Sequence, residues 1–321
     1  MSDGGSAEDT TGGLVLGVDH VTTVLGDRPA RQLLAGLTRL GLPVAWPLAD
    51  YGRLWTGGVR LGNLDLEIIG LGEEPPPRTP GATGAQPPAG AAARSPVGWP
   101  AAVSGGGTAA AAEGGIGWPE SSQQAAAEAT AGGQGGGPGQ WPPQLLTLAA
   151  ASLADLPGQL DQRGVRHGEP EPFPPRPPVE PLRTVMDLPD FGGDTLAVGI
   201  SASPHGPRTE TVPSQDLAGV QRVERVVVGA RDMAAARERW APLLAPETPG
   251  QEGSAQQAVA AVWQPGSGPA LEVRPASQDA VIELVLLVGS LALARAAFTA
   301  AGLEVAGDLV TIGTFPARLA A

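Results

Sequence analysis

The chain has no cysteine and no lysine among its 321 residues, and only three histidines and one tyrosine. Without cysteine, disulfides, thiolate metal sites and cysteine nucleophiles are excluded. All 20 basic side chains are therefore arginines. A lysine-free chain rich in Ala, Gly, Pro and Arg reflects GC-rich coding rather than a function. Long apolar runs are also missing. The best stretch, 280–297, is broken by Glu283, Ser290 and Arg295, so no transmembrane helix is expected. There is no basic run, and the net charge is −13. That charge argues against nucleic acid or an anionic membrane as a partner. Residues 1–5 lack the basic start and apolar core of a signal peptide, so a cytoplasmic location is expected.

Hydrophobic residues make up 42% of the chain, enough for cores in parts of it. The 47 glycines and 34 prolines are concentrated instead of spread. Residues 72–140 hold Pro75-Pro76-Pro77, several Gly and Ala runs, and few large apolar side chains beyond Trp99 and Trp118. Such a segment cannot bury enough surface to offset its ordering entropy. It is expected to be a disordered insertion, with 1–12 a disordered lead and 206–217 a linker. The glycines at 132–137 lack the strand and helix context of a phosphate loop.

Between these segments one pattern recurs. A strand is expected over 14–24, a helix over 28–40 with Leu33, Leu34, Leu37 and Leu40 on one face, then strands near 44–46, 54–61 and 64–69. A second, weaker copy runs from 144–150 through a short helix to strands near 183–187 and 195–201. A third begins at 221–228, with Asp232 as N-cap, Trp240 on the buried helix face, and strands near 259–263 and 270–274. A fourth runs from 281–288 through a helix capped by Ser290. Three helices end on glycine followed by Leu or Val, at Gly41, Gly164 and Gly302. Four copies of strand, helix and small sheet predict an α+β chain of two tandem paired-module domains, 13–205 and 218–321.

The strands also repeat their polar residues. Asp19-His20-Val21 is followed 47 residues later by Leu66-Glu67-Ile68, and Glu224 is followed 48 residues later by Glu272. On these motifs the chain resembles the vicinal oxygen chelate superfamily, and its first half resembles the bacterial glyoxalase-like domain proteins. The resemblance implies a cup-shaped sheet in each domain. It also implies a divalent metal (Zn, Ni, Fe or Mn) held by His, Glu or Gln from the first and last strands of each module. His20 and Glu67 match two such positions. Thr147, with Val198 or Gly199, stands at the other two. In the second domain the matches are Glu224 and Glu272, with Leu284 or Leu286 where a ligand should stand.

Strand alternation puts Asp65, Glu67 and Ile69 on the cup face, and His20 with Val18, Thr22 and Val24. Tyr51 and Trp55 are expected at the cup side as an aromatic wall. Three readings stay open for His20 and Glu67. They form a catalytic metal site for a lyase, isomerase or dioxygenase, a metal-free pocket for a small molecule, or an inert hydrogen-bonded pair. Arg222 and Arg274 are expected to neutralise Glu224 and Glu272. His167 and His205 are expected to be solvated. The expected partner is a small-molecule ligand or substrate, and the expected assembly a monomer or homodimer.

Overall fold

The computed structural model describes residues 14–50, 54–72, 142–152, 154–172, 184–202, 216–244, 261–264 and 268–321. The expected lead at 1–12 lies outside the described residues, as do all of the expected insertion but residue 72 and all of the expected linker but 216 and 217.

Four modules follow one another. The first is β1 (Gly17–Gly26), α1 (Asp27–Arg39), β2 (Val44–Asp50), β3 (Leu54–Leu61) and β4 (Leu64–Leu71). The second is β5 (Gln144–Ala150), α2 (Leu156–Gln162), β6 (Glu171–Pro172), β7 (Thr184–Asp187) and β8 (Leu196–Ala202). The third contains β9 (Val220–Ala230), α3 (Met233–Trp240), β10 (Ala261–Trp263) and β11 (Ala270–Pro275). The fourth is β12 (Ala280–Val288), α4 (Leu291–Ala300), β13 (Val305–Ala306), β14 (Leu309–Ile312) and β15 (Phe315–Ala320).

The first two modules share one sheet, in the order β2-β3-β4-β1-β5-β8-β7-β6. The last two share another, in the order β10-β11-β9-β12-β15-β14-β13. Within each module the first and last strands pair in parallel (β1 with β4, β5 with β8, β9 with β11, β12 with β15). The modules of a domain join through antiparallel first strands, β1 with β5 and β9 with β12. The chain is thus an α+β tandem of two paired-module domains.

The helices form where the sequence asks for them. Along α1 and at its C-cap, Leu37 and Leu40 are almost fully buried and Leu33 and Leu34 pack against the same core. Full burial of a leucine contributes roughly 1.5–3 kcal/mol. Asp232 caps α3 by accepting from the amides of Ala234 and Ala235. Gly41, Gly164 and Gly302 end their helices with φ of 78°, 68° and 84°, a left-handed turn that side chains with a Cβ resist.

The two domains are stitched together by polar contacts at strand ends. The Gln144 side chain donates to the carbonyls of Val281 and Thr314 and accepts from the amide of Val281. Asn63, in the β3–β4 turn, accepts from the amide of Val223 on β9. Arg39 donates to the carbonyl of Ala301 at 2.7 Å. Among the described residues no helix is long and apolar enough to cross a membrane.

Candidate functional site

One irregularity in β1 builds the site of the first domain. Val18 lies opposite Leu148, but His20 lies opposite the very next residue, Thr147. Asp19 is therefore a β-bulge, one residue in excess of its partner strand. Val18 shares the helix-facing side with Leu148, not the cup face with His20 as alternation alone predicted. The bulge lets Asp19 and His20, neighbours in sequence, both reach the cup.

Register then defines the centre of the sheet face turned away from the helices, the face that the resemblance makes the cup. His20 faces Asp65 on one side and Thr147 on the other, and Thr22 faces Glu67. His20 Nε2 stands 3.7 Å from Glu67 Oε2, which also accepts from the Thr22 hydroxyl at 3.1 Å. A separation of 3.7 Å is too long for a direct hydrogen bond. The other ring nitrogen, Nδ1, lies 3.0 Å from Asp19 Oδ2. The Ser201 hydroxyl donates to that same oxygen, also at 3.0 Å. Only about a tenth of the His20 and Glu67 side chains reaches solvent. Asp65, expected beside Glu67, lies on this face but is held by Arg60, whose Nε donates to it at 2.8 Å.

The antiparallel β1–β5 pair relates the two modules by an approximate twofold. His20 corresponds to Thr147, and Glu67, which faces the residue two beyond His20, corresponds to Ser201, which faces the residue two beyond Thr147. The fourth central position is therefore Ser201, not Val198 or Gly199 as the sequence suggested. The donor set is His20, Glu67, Thr147 and Ser201. Among the described residues, no group of three or more His, Asp and Glu gathers where it would hold a metal ion.

The aromatic wall is also different from the one expected. Trp55 packs on the helix side, where its indole N–H donates to Asp27 and Arg31 stacks over its ring at 5.0 Å. Tyr51 lies outside the described residues. Trp46 takes the place assigned to Trp55. It faces Gly58 across β2 and β3 and meets the His20 ring edge-on, with centroids 5.6 Å apart. Gly58 makes room for it, since a Cβ there would come within 2.5 Å of the indole. Sequence alternation missed Trp46 because β2 carries two register shifts, one on either side of it. On the far side of the cup, Asp187 faces Gly199. Partial desolvation raises its carboxyl above the usual range, although the residue as a whole is exposed.

The second domain repeats the geometry with different chemistry. Val223 faces Leu286 and Arg225 faces Val285, so Glu224 is the bulge and Arg225 stands where His20 stands. Glu272, opposite Val227, stands where Glu67 stands. The remaining two central positions are Val285 and Ala320, not Leu284 or Leu286. Arg225 Nη1 donates to Glu272 at 3.1 Å, and Arg274 Nε donates to it at 2.6 Å. Arg225 also contacts Glu224 at 3.4 Å. The expected partner Arg274 is thus in place, while Arg225 fills the role assigned to Arg222. Sequence reasoning also missed Glu283, which takes a bidentate pair of hydrogen bonds from Arg318 at 2.9 and 3.0 Å. That contact raises the Arg318 guanidinium above its ordinary range. The buried carboxylates of this cup are thus matched by arginines.

His167, expected to be solvated, is half-buried, with Nδ1 2.8 Å from the carbonyl of Gly168 and Nε2 3.4 Å from Asp161. His205 lies outside the described residues.

No protein-family model matches the chain, and no curated protein matches it. Solved structures do resemble it. A hypothetical protein from Staphylococcus aureus is 9% identical, with a TM-score of 0.51 over 94% of this chain and 98% of that one. The Mn(II)-bound glyoxalase from Novosphingobium aromaticivorans is 9% identical, with a TM-score of 0.48 over 96% of this chain and 82% of that one. A xylose isomerase-like TIM barrel/4-hydroxyphenylpyruvate dioxygenase fusion protein is 11% identical, with a TM-score of 0.47 over 91% of this chain and 40% of that one. Likeness at these identities speaks to fold alone, and the last two, below a TM-score of 0.5, add nothing to it. The paired modules are the arrangement that the resemblance to glyoxalase-like domains implied.

Proposed function

We propose that the chain is a glyoxalase-like protein of the vicinal oxygen chelate superfamily that binds a small oxygen-rich molecule in the cup of its first domain, without a resident metal. One observation carries this reading. Of the four central positions, two are the acceptors His20 and Glu67, and two are the neutral hydroxyls of Thr147 and Ser201. Catalytic zinc sites keep at least three protein ligands, and first-row metals prefer imidazole and carboxylate to alcohol. The Zn, Ni, Fe or Mn ion implied by the resemblance would find two good ligands, and the set does not fit it as a resident cofactor.

In this reading His20 and Glu67 are the polar anchors, Trp46 is the aromatic wall, and the near-complete burial of the pair keeps water from competing. The protein then holds or sequesters its ligand. The alternative is catalysis by a lyase, isomerase or dioxygenase whose substrate oxygens complete a metal site. It draws support from the Asp19 contact, because a carboxylate on Nδ1 is how ligand histidines are commonly oriented.

Metal analysis of protein purified without chelator separates the two. Sub-stoichiometric metal, unchanged in His20→Ala, is the expected result. One metal per chain that disappears in His20→Ala would replace the binding reading with the catalytic one.

A further inference from the structure

The bulge at Asp19 has a chemical consequence beyond its geometry. Asp19 Oδ2 receives His20 Nδ1 and the Ser201 hydroxyl, each at 3.0 Å. An ionised carboxylate only accepts, so the shared hydrogen must sit on Nδ1. In its neutral form the ring then carries no hydrogen on Nε2. That nitrogen points toward a second acceptor, Glu67 Oε2, at 3.7 Å. Two acceptors at that spacing favour a positively polarised hydrogen between them. A carboxylate placed there would add a third acceptor to a nearly buried site.

We propose that Asp19, braced by Ser201, is a positioning residue that fixes His20 as its Nδ1–H tautomer, so that the cup recognises a hydroxyl or N–H donor and rejects a carboxylate at its centre. The choice of ligand group rests on the binding function proposed above; the tautomer does not. Asp19 reaches His20 because the bulge turns both side chains to one face, and about a tenth of its own side chain is exposed. Ser201 arrives from β8, in the second module, so the positioning couples both halves of the domain.

The test is nitrogen-15 NMR of the histidine rings in the full chain, whose three histidines allow His20 to be assigned by its loss in His20→Ala. Wild-type protein at neutral pH should show His20 with a protonated Nδ1 and a bare Nε2. Asp19→Ala should move it to the Nε2–H form, while Ser201→Ala should give a mixture of the two with folding unchanged. A merely structural Asp19 would lower stability without moving the tautomer. An Nε2–H or doubly protonated ring in the wild type, or an unchanged ring in both variants, overturns the positioning role whatever the cup binds. Phenol and benzoate then probe the ligand group, one presenting O–H and the other a carboxylate. Phenol should shift the His20 Nε2 resonance in wild type and lose that effect in Asp19→Ala, while benzoate should not shift it. Benzoate acting as strongly as phenol, or neither acting, overturns the ligand class and leaves the tautomer assignment standing.

Discussion

At the residue scale, the first domain's cup depends on two acceptors and the side chains that aim them. Glu67→Gln keeps the shape and the Thr22 contact but weakens the acceptor facing His20. Ligand binding should fall at least tenfold while the melting temperature moves by only a few degrees; a large loss of melting temperature with intact binding would reduce the pair to a structural contact. Gly58→Ala is the opposite kind of change. Its Cβ would collide with Trp46, so it should destabilise by about 1–3 kcal/mol in a denaturant titration. Asp187 makes a pH prediction. Its carboxyl is raised by desolvation, so its protonated form is favoured in the folded state. That stability is fully present below the ordinary carboxylate range and is lost as pH rises through the raised value. Because the residue is exposed, Asp187→Asn should raise the melting temperature only slightly at neutral pH and make no difference in acid. The sequence pointed to His20 and Glu67 because a histidine and a carboxylate stand out within otherwise apolar strands, even though the bulge beside His20 was not legible. It hid Trp46 and misplaced Trp55, because the shifts in β2 and the start of β3 decide which indole faces the cup.

At the element scale, the repeats were legible and the bulges were not. Helix stops at Gly41, Gly164 and Gly302 and caps at Asp232 and Ser290 are written in local chemistry, so four modules could be counted from the chain. A bulge has no such signature. Counting residues placed Glu224 in the role of His20, whereas pairing with β12 gives that role to Arg225. The result is a cup that carries its own cation beside Glu272. Zinc titration of full-length His20→Ala should accordingly find no stoichiometric site, since the second domain offers Arg225, Glu272, Val285 and Ala320. Breaking its other pair should be measurable. Arg318→Ala leaves Glu283 nearly buried without its bidentate partner, and because the guanidinium is 49% exposed the loss is discounted to about 1 kcal/mol.

At the scale of the whole molecule, each domain's turns reach the other's strands. Gly62 sits at φ 67°, and a Cβ there would lie 2.5 Å from the carbonyl of Gln221. Gly62→Ala should loosen this contact and split one cooperative melting transition into two. The expected insertion can be tested in the same way. Its flanks both end beside β1, where Leu71 faces Gly26 and Gln144 faces Thr23. Strands two positions apart are separated by roughly 10 Å, which a short Gly/Ser linker spans easily. Replacing residues 72–140 with such a linker should preserve the cooperative melt, as calorimetry would show. The two bulges also bear on how such a tandem chain diverges. In each first strand the residues that face the helices, Val18 and Val21 or Val223 and Val226, are set apart from the dipeptide that faces the cup. After a duplication, that dipeptide can drift from Asp-His to Glu-Arg while selection on the core continues unchanged. One copy can therefore give up its chemistry and remain a sound building block for the other.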